Sequence, residues 1–337
     1  MIDINPYLRY LCDPVSRYPL RVDRDEHGAI SLVCDHSKRR YPFVGEFPDL
    51  RPDAGASLDQ ATTASIFSKR LGEKQDEVRG HYDQKPCNNY LDLDNVPLGR
   101  WLRQSDYNAW FDGVEFAVEV GSGKGAIASA ILQHRGIREF CVDLAYGSLR
   151  QIRAAPLNLD GVLGSNLRLP LKNEVADLVV SHGVIHHTPD PVMCFCELVR
   201  ILKPKGRLLI AVYNWDNLYR SLYFFMSPPL KAVRRILGPR MGDLLLKGTV
   251  FLPYHLALWL VLIKTQRRFG LPSWQESWEQ FCDFFLTPFA RFYMKEEMIS
   301  LAQVFGLTLL EHASGGWPNN GFAHFYWFQK STALDKG

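Results

Sequence analysis

The stretch Phe116–Gly125 reads F-A-V-E-V-G-S-G-K-G, and its pattern is the strongest indication of the fold. Its first residues predict a short apolar strand that carries one acid, Glu119. Glycines then follow at alternate positions (Gly121, Gly123 and Gly125), and the apolar residues 126–132 predict a helix. A tight turn from strand to helix needs glycine for its backbone angles and for close approach of a ligand, and the first N–H groups of the helix are free to bind it. The stretch therefore predicts a nucleotide-type ligand site that opens a βαβ unit.

Two classes of ligand fit this turn. The dinucleotide pattern G-x-G-x-x-G/A is met by Gly121, Gly123 and Ala126, with Asp143 further along. The same loop reads E-x-G-x-G-x-G, which resembles motif I of the class I S-adenosylmethionine-dependent methyltransferases. A carboxylate at Glu119 attracts the ammonium and sulfonium of S-adenosylmethionine, whereas it repels a pyrophosphate. The acid therefore favours S-adenosylmethionine and argues against a nicotinamide dehydrogenase.

Further segments resemble this methyltransferase family in the expected order. A second apolar strand ends at Asp143, and in the family an acid there accepts the ribose hydroxyls of the cofactor. The residues S-N-L at 165–167 stand where the family has an aspartate for the adenine amine, and a hydroxyl or amide oxygen can still accept. Residues 177–191 and 197–212 resemble the fourth strand with its H-H loop, then a helix, a turn and the fifth strand. The resemblance covers roughly residues 116–214 and 287–328.

The resemblance implies a set of cofactor-binding residues. They lie on the glycine turn, at the ends of the second, third and fourth strands, and on a segment upstream of the core that covers the cofactor in related enzymes. The set is Glu119, Gly121, Ser122, Gly123, Gly125, Asp143, Leu144, Ser165, Asn166, Leu167, His182 and Tyr82.

The acceptor should bind where the fourth and fifth strands end, because ligands of open α/β sheets bind beyond the carboxyl ends of the strands. Methyl transfer requires a base only when the acceptor must lose a proton, and histidine suits that role near neutral pH. The candidate catalytic residues are His182, His186, His187 and Tyr213. In the family the second histidine of the pair often has a structural role.

The N-terminal residues 1–52 resemble a small zinc ribbon that occurs fused to rRNA methyltransferases or as a free methyltransferase activator. The four ligand positions of that pattern hold Asp13, Ser16, Cys34 and Ser37. Serine is a poor zinc ligand, so we expect a degenerate ribbon held by packing, with no metal site. A relict metal site is the alternative.

Composition limits the class of protein. The 337 residues are 47% hydrophobic and carry a formal net charge of +3, which is typical of a globular protein and too small to indicate nucleic acid. Seven scattered cysteines and an N-terminus that lacks a secretory pattern favour the reducing cytoplasm.

An aromatic, apolar insertion follows the fifth strand, at residues 215–286. Its most hydrophobic run, residues 248–263, is too short to span a bilayer. Three interpretations stay open for it: a lid over an apolar acceptor, a homodimer contact, or a helix on a membrane surface.

The predicted fold is a doubly wound α/β sheet of seven strands in the order 3-2-1-4-5-7-6. The predicted units are the ribbon (1–52), a linker with approach helices (53–110), the methyltransferase core (111–214 and 287–337) and the insertion (215–286). The predicted function is S-adenosylmethionine-dependent methylation of a small, apolar or aromatic-bearing acceptor, as in small-molecule biosynthesis. An RNA methyltransferase and a non-catalytic cofactor-binding partner protein are the alternatives.

Overall fold

A computed structural model describes residues 3–57, 68–84, 111–123, 125, 136–153, 159–264, 271–315 and 322–332. The helix predicted at residues 126–132 and most of the predicted 53–110 linker lie outside them. The strands are β1 (Arg21–Arg24), β2 (Ile30–Cys34), β3 (Arg39–Tyr41), β4 (Phe43–Val44), β5 (Phe47–Pro48), β6 (Ala56–Ser57), β7 (Phe116–Val120), β8 (Arg138–Asp143), β9 (Asp160–Leu163), β10 (Ala176–His182), β11 (Leu202–Tyr213), β12 (Leu307–Gly315) and β13 (Ala323–Lys330).

The α-helices among the described residues are α1 (Lys69–Gln84), α2 (Tyr146–Leu149), α3 (Pro191–Ile201), α4 (Leu218–Leu246), α5 (Leu252–Lys264), α6 (Trp274–Phe281) and α7 (Lys295–Val304). Short 3-10 helices occur at Asn5–Tyr7, Arg150–Arg153 and Ile185–His187, and π-helical turns at Lys247–Phe251 and Cys282–Leu286. None of the described helices is both long and apolar enough to cross a membrane.

Seven strands form the central sheet in the order β12-β13-β11-β10-β7-β8-β9. The pairs from β11 through β10, β7 and β8 to β9 are parallel, and β13 runs antiparallel between β11 and β12. With β7 counted as the first strand, this is the predicted order 3-2-1-4-5-7-6, so the fold class is confirmed. Every residue of β7 is buried, as expected for a parallel strand covered on both faces.

The N-terminal residues form a four-stranded sheet, β1-β2-β3-β6, and a small hairpin, β4-β5. Strand β6 lies beyond residue 52, where the sequence predicted this unit to end. Leu11 and Leu32 belong to the same hydrophobic core as Phe140 and Val142 of the central sheet. The guanidinium of Arg17 lies 2.9 Å from the Glu197 carboxylate of α3. The N-terminal residues are therefore packed onto the central sheet and α3.

The four positions of the zinc-ribbon pattern come together in space, around the carboxylate of Asp13. Ser16 and Ser37 donate their hydroxyls to Asp13 Oδ2, and Tyr41 donates to Oδ1 at 2.7 Å. Cys34 Sγ lies 3.5 Å from the hydroxyl of Ser16. Burial acts to raise the pKa of Asp13, but the hydrogen bonds from Ser37, Tyr41, the Val15 N–H and Ser16 hold it below its usual value. A hydrogen-bonded carboxylate thus stands where the pattern has a cation.

The insertion packs its inner side against the end of β11. Helix α4 has a break at Gly238, where φ is 75°. Tyr219 of α4 and Phe284 of the second π-turn lie in one aromatic cluster with Tyr213, the last residue of β11. The N–H of Tyr293 donates to the carbonyl of Tyr213 at 2.9 Å and returns the chain to the sheet. The insertion therefore covers the end of the sheet where the acceptor was predicted.

We predict that Asp13→Asn lowers the free energy of unfolding by about 1–3 kcal/mol at pH 7, because an amide cannot accept all these bonds. The pKa of Asp13 lies below 3.8 in the fold, so its contribution is present above that pH and is lost as the pH falls below it. Urea titrations from pH 7 to pH 3 should show the difference between variant and wild type shrinking towards acid. The exposed Asp112→Asn is the control, and an equal, pH-independent loss in both variants would contradict the role of Asp13.

Candidate functional site

The glycine turn after β7 has the geometry that the sequence predicted. Gly121 and Gly123 have φ values of 71° and 52°, a region that side chains with a Cβ avoid. A Cβ on Gly121 would lie 2.4 Å from Val184 Cγ2, which belongs to the loop after β10. A Cβ on Gly123 would meet no atom of the described residues within 4 Å, so they leave the turn open on that side. One glycine serves close packing and the other leaves space for a ligand.

Asp143 ends β8 beside this turn. Its Oδ2 accepts the N–H of Gly123 and its Oδ1 accepts the N–H of Ala145, both at 2.8 Å. Burial raises the pKa of Asp143 to about 6, against the lowering effect of these two hydrogen bonds. The carboxylate is therefore mostly ionised at pH 7, and its remaining lone pairs can accept two hydroxyl groups. Leu144, also predicted, follows it, and its carbonyl accepts from Arg51 at 3.4 Å.

Glu119 does not stand alone, because a second buried acid, Glu139 of β8, lies next to it. One donor atom from each of Glu119, Glu139 and Cys141 lies within 4.8 Å of the others. No N–H or hydroxyl group of the described residues donates to Oε2 of Glu119 or to either carboxylate oxygen of Glu139, so the pair depends on the hydrogen bond that the two carboxyl groups make with each other. Burial, and then the charge of Glu139, raises the pKa of Glu119 well above 4.5, and burial raises the pKa of Glu139 to about 8.

Two buried carboxylates this close cannot both be ionised without a cation, so the pair holds a proton at neutral pH. A cation bound beside the turn would take over that role. The spacing also fits a divalent ion, and the prediction that the chain has no metal site stays a prediction.

The segment after β9 binds the first approach helix. Ser165 Oγ accepts the N–H of Leu167 at 3.1 Å and the side-chain amide of Gln75 on α1. These bonds use both lone pairs of the hydroxyl. In the part of the chain that the structure describes, Asn166 makes no side-chain hydrogen bond, so its amide oxygen is the better acceptor for an adenine amine.

Helix α1 lies across the carboxyl edge of the sheet. Near its C-terminus, Asp83 accepts the N–H of Gly147 at 2.9 Å, just beyond Asp143. The hydroxyl of Tyr82 donates to Asp283 Oδ1 of the insertion at 3.1 Å, and its ring lies edge-on to His187 at 6.2 Å. Tyr82 therefore connects α1 to the insertion and to the histidine loop, and its contact with the cofactor stays a prediction.

His187 has partners on both ring nitrogens. Nδ1 lies 2.6 Å from the carbonyl of Phe289, and Nε2 lies 3.3 Å from the hydroxyl of Tyr213. A carbonyl can only accept, so Nδ1–H donates to it and Nε2 accepts from Tyr213. These two bonds tie the loop after β10 to the end of β11 and to the chain that follows the insertion, which is an orienting role.

His186 is different, because neither ring nitrogen has a partner among the described residues, although the side chain is only 2% exposed. Its ring stacks on Tyr213 with a centroid distance of 3.7 Å. Burial, with His187 and His182 nearby, lowers its pKa well below 6.5, so the imidazole is neutral. A buried neutral imidazole with two unused nitrogens is suited to bind a ligand group or to receive its proton.

His182, the last residue of β10, packs its ring 5.6 Å from that of Phe325. Burial lowers its pKa to about 4. It lies at the carboxyl edge of the sheet, as predicted.

Two further acids belong to the site and were missed from the sequence. Glu139 is the second residue of β8, directly before a buried apolar run, and Asp283 is the one acid in the run C-D-F-F-L. An acid next to or within a buried apolar run was the available signal in both cases.

Comparisons with known proteins agree with this geometry. The family model described as "Methyltransferase domain" matches residues 118–210. The human mitochondrial protein named arginine-hydroxylase NDUFAF5 is 30% identical over 157 residues, which are 47% of this chain and 44% of the relative. A malonyl-[acyl-carrier protein] O-methyltransferase of Geobacter sulfurreducens is 30% identical over 130 residues, which are 37% of this chain and 48% of the relative.

This chain thus spans less than half the length of both curated relatives. Among solved structures, a 1,6-didemethyltoxoflavin-N1-methyltransferase of Burkholderia thailandensis, with 1,6-didemethyltoxoflavin and S-adenosylhomocysteine bound, has a TM-score of 0.45 and 13% identity. The matched region covers 82% of this chain and 99% of the Burkholderia chain.

We predict that Gly123→Arg abolishes binding of S-adenosylmethionine, because the new side chain would fill the open side of the turn. Calorimetric titration is the measurement. Gly28→Arg is a matched control, since Gly28 also has a positive φ and open space around its Cβ. Unchanged affinity in a folded Gly123→Arg protein would show that the cofactor binds elsewhere.

We also predict that Glu139→Gln makes the protein more stable than wild type as the pH rises. The unfolded chain loses the Glu139 proton above pH 4.5, whereas the folded chain keeps it to about pH 8. Wild-type stability therefore falls across that window. The advantage of the variant should reach on the order of a few kcal/mol at pH 8. Chemical denaturation from pH 5 to pH 8 tests this, with the exposed Glu115→Gln as control, and a constant difference would contradict it.

Proposed function

Since residues 118–210 form a class I methyltransferase domain, we propose that the chain transfers the methyl group of S-adenosylmethionine to an acceptor bound between the histidine loop and the insertion. The match to the family model confirms the class predicted from the motifs, its enzyme type and its cofactor. The chemical class of the acceptor and the place where it binds are what we propose here.

The residues at the glycine turn fit the cofactor. Oε2 of Glu119 and the hydroxyl of Ser122 are buried polar atoms at this turn, and a cationic amino acid end can bond to both. Asp143 keeps lone pairs for a ribose diol, and Asn166 keeps an amide oxygen for an adenine amine. Once bound, the cofactor supplies an electrophilic methyl group on a good leaving group. The side chains of the site then hold the acceptor atom in line with the methyl group and exclude water.

His186 is the observation that carries the proposal for the acceptor end. The loop that holds it packs directly on the cofactor turn, through Val184 against Gly121. The insertion covers the same place with the aromatic cluster around Tyr213. An unpartnered imidazole in such surroundings can orient an acceptor hydroxyl or amine and take its proton as the methyl group is transferred.

The surroundings of His186 favour an apolar or aromatic-bearing acceptor. Tyr213, Tyr219 and Phe292 lie with ring centroids 5.2–5.6 Å apart. The hydroxyl of Tyr219 is bound to the carbonyl of Phe284 at 2.6 Å, so this side chain presents mainly its ring. Flat apolar molecules bind well in such a lining.

A guanidinium- or amine-bearing acceptor is the second candidate, because Asp283 brings a buried carboxylate into this apolar region. Its charge acts on His187, whose pKa it raises against the dominant lowering by burial. Carboxylates bind guanidinium groups in a bidentate manner. The human relative has a name, arginine-hydroxylase, that also refers to an arginine.

The test of the proposed function is incubation with methyl-labelled S-adenosylmethionine against fractionated small metabolites, proteins and RNA in separate reactions. Label in small apolar metabolites supports the first candidate, and label in arginine side chains of proteins supports the second. Label in RNA alone would overturn both.

We predict that His186→Ala lowers kcat by about 10²-fold or more, while the Kd for S-adenosylmethionine stays nearly unchanged. The reason is that His186 faces the acceptor and not the cofactor turn. Turnover of a labelled acceptor and calorimetry of the cofactor together make the measurement. The exposed His27→Ala is the control. Normal turnover in His186→Ala would assign this residue a purely structural role.

A further inference from the structure

The insertion is apolar on two sides. Its inner side is buried: Leu246, Phe251 and Leu258 are at most 5% exposed. On the opposite side, α5 leaves Leu252, Leu256, Leu260 and Ile263 exposed. These positions follow the spacing i, i+4, i+8 and i+11, so they form one stripe along the helix. Leu260 alone is 68% exposed.

The stripe continues into the preceding helix. Lys247 and Leu252, at the two junctions of the π-turn, both have right-handed helical backbone angles, so the chain stays helical from α4 through the turn into α5. Between the break at Gly238 and the turn, the exposed apolar residues of α4 are Met241, Leu244 and Leu245. Nothing among the described residues covers this face. A helix with apolar residues on both sides needs a second apolar environment on its outer side.

The charges of α4, the π-turn and α5 favour an anionic environment. Residues 218–264 hold a single acid, Asp243, and its carboxylate lies 2.7 Å from Arg234. The same residues hold seven bases: Arg220, Lys231, Arg234, Arg235, Arg240, Lys247 and Lys264. Their net charge of +6 exceeds the formal net charge of the whole chain, which is +3. Arg235 and Arg240 are exposed beside the stripe.

From these observations we infer that the outer face of residues 241–263 docks on an anionic lipid surface. The leucines enter the boundary between head groups and acyl chains, and the bases contact lipid phosphates. A second copy of the chain fits this face less well, because a symmetric contact would place the same basic residues against each other. The site would then open next to a lipid bilayer, since the inner side of the same helices packs around Tyr213.

The test is co-sedimentation of the full chain with vesicles. Wild type should bind vesicles of phosphatidylglycerol and phosphatidylcholine, bind pure phosphatidylcholine much more weakly, and lose binding at high salt. The double variant Leu256→Asp, Leu260→Asp should partition at least about tenfold less. The matched control is Val304→Asp, Leu310→Asp, because both residues are exposed and apolar but lie outside the insertion.

A second double variant, Arg235→Glu with Arg240→Glu, leaves the apolar stripe intact and should lose the preference for anionic vesicles. It keeps the test decisive if the leucine variant does not fold. Equal binding of wild type to both kinds of vesicle, or undiminished binding of the arginine variant, would overturn the inference. So would light scattering that shows a dimer dissociated by Leu256→Asp, Leu260→Asp in a protein that does not bind vesicles.

Discussion

The contact between Gly121 and Val184 is the constraint on which the rest of the site depends. It leaves no room for a side chain on the first glycine of the turn. Because of this contact, the turn after β7 packs directly against the loop after β10. The turn carries predicted cofactor residues, and the loop carries His186. Strand order alone places β7 beside β10. The Gly121–Val184 contact adds that the loops after these two strands also touch.

Helix α1 and the insertion close this arrangement from outside the sheet. Gln75 binds the segment after β9, Asp83 binds the segment after β8, and Tyr82 reaches Asp283 of the insertion. One helix therefore connects the adenine, ribose and acceptor regions of the proposed site. The insertion in turn is held by His187, whose two ring nitrogens join the chain on either side of it. The two histidines of one dipeptide thus have different environments, one fully bonded and one unpartnered.

The order of the sheet and the turn at its centre could be predicted from sequence, because glycine spacing and apolar runs are local signals. The positions of Asp143 and the histidine pair followed from strand ends for the same reason. Glu139 and Asp283 could not be found in this way, since their partners are distant in sequence and depend on register and packing. The separation of roles between His186 and His187 also depends on contacts with residues 213 and 289, which no local pattern records.

The polar cluster at Asp13 has a consequence for how the N-terminal residues assemble. Ribbons of this kind are usually organised by four thiolates around a positive ion, and their folding then follows the supply of that ion. Here the Asp13 carboxylate accepts hydrogen bonds from the hydroxyls of Ser16, Ser37 and Tyr41 and from the N–H of Val15. Assembly of this segment therefore depends on an ionised carboxylate, and only acid strong enough to protonate Asp13, below pH 3.8, would loosen it.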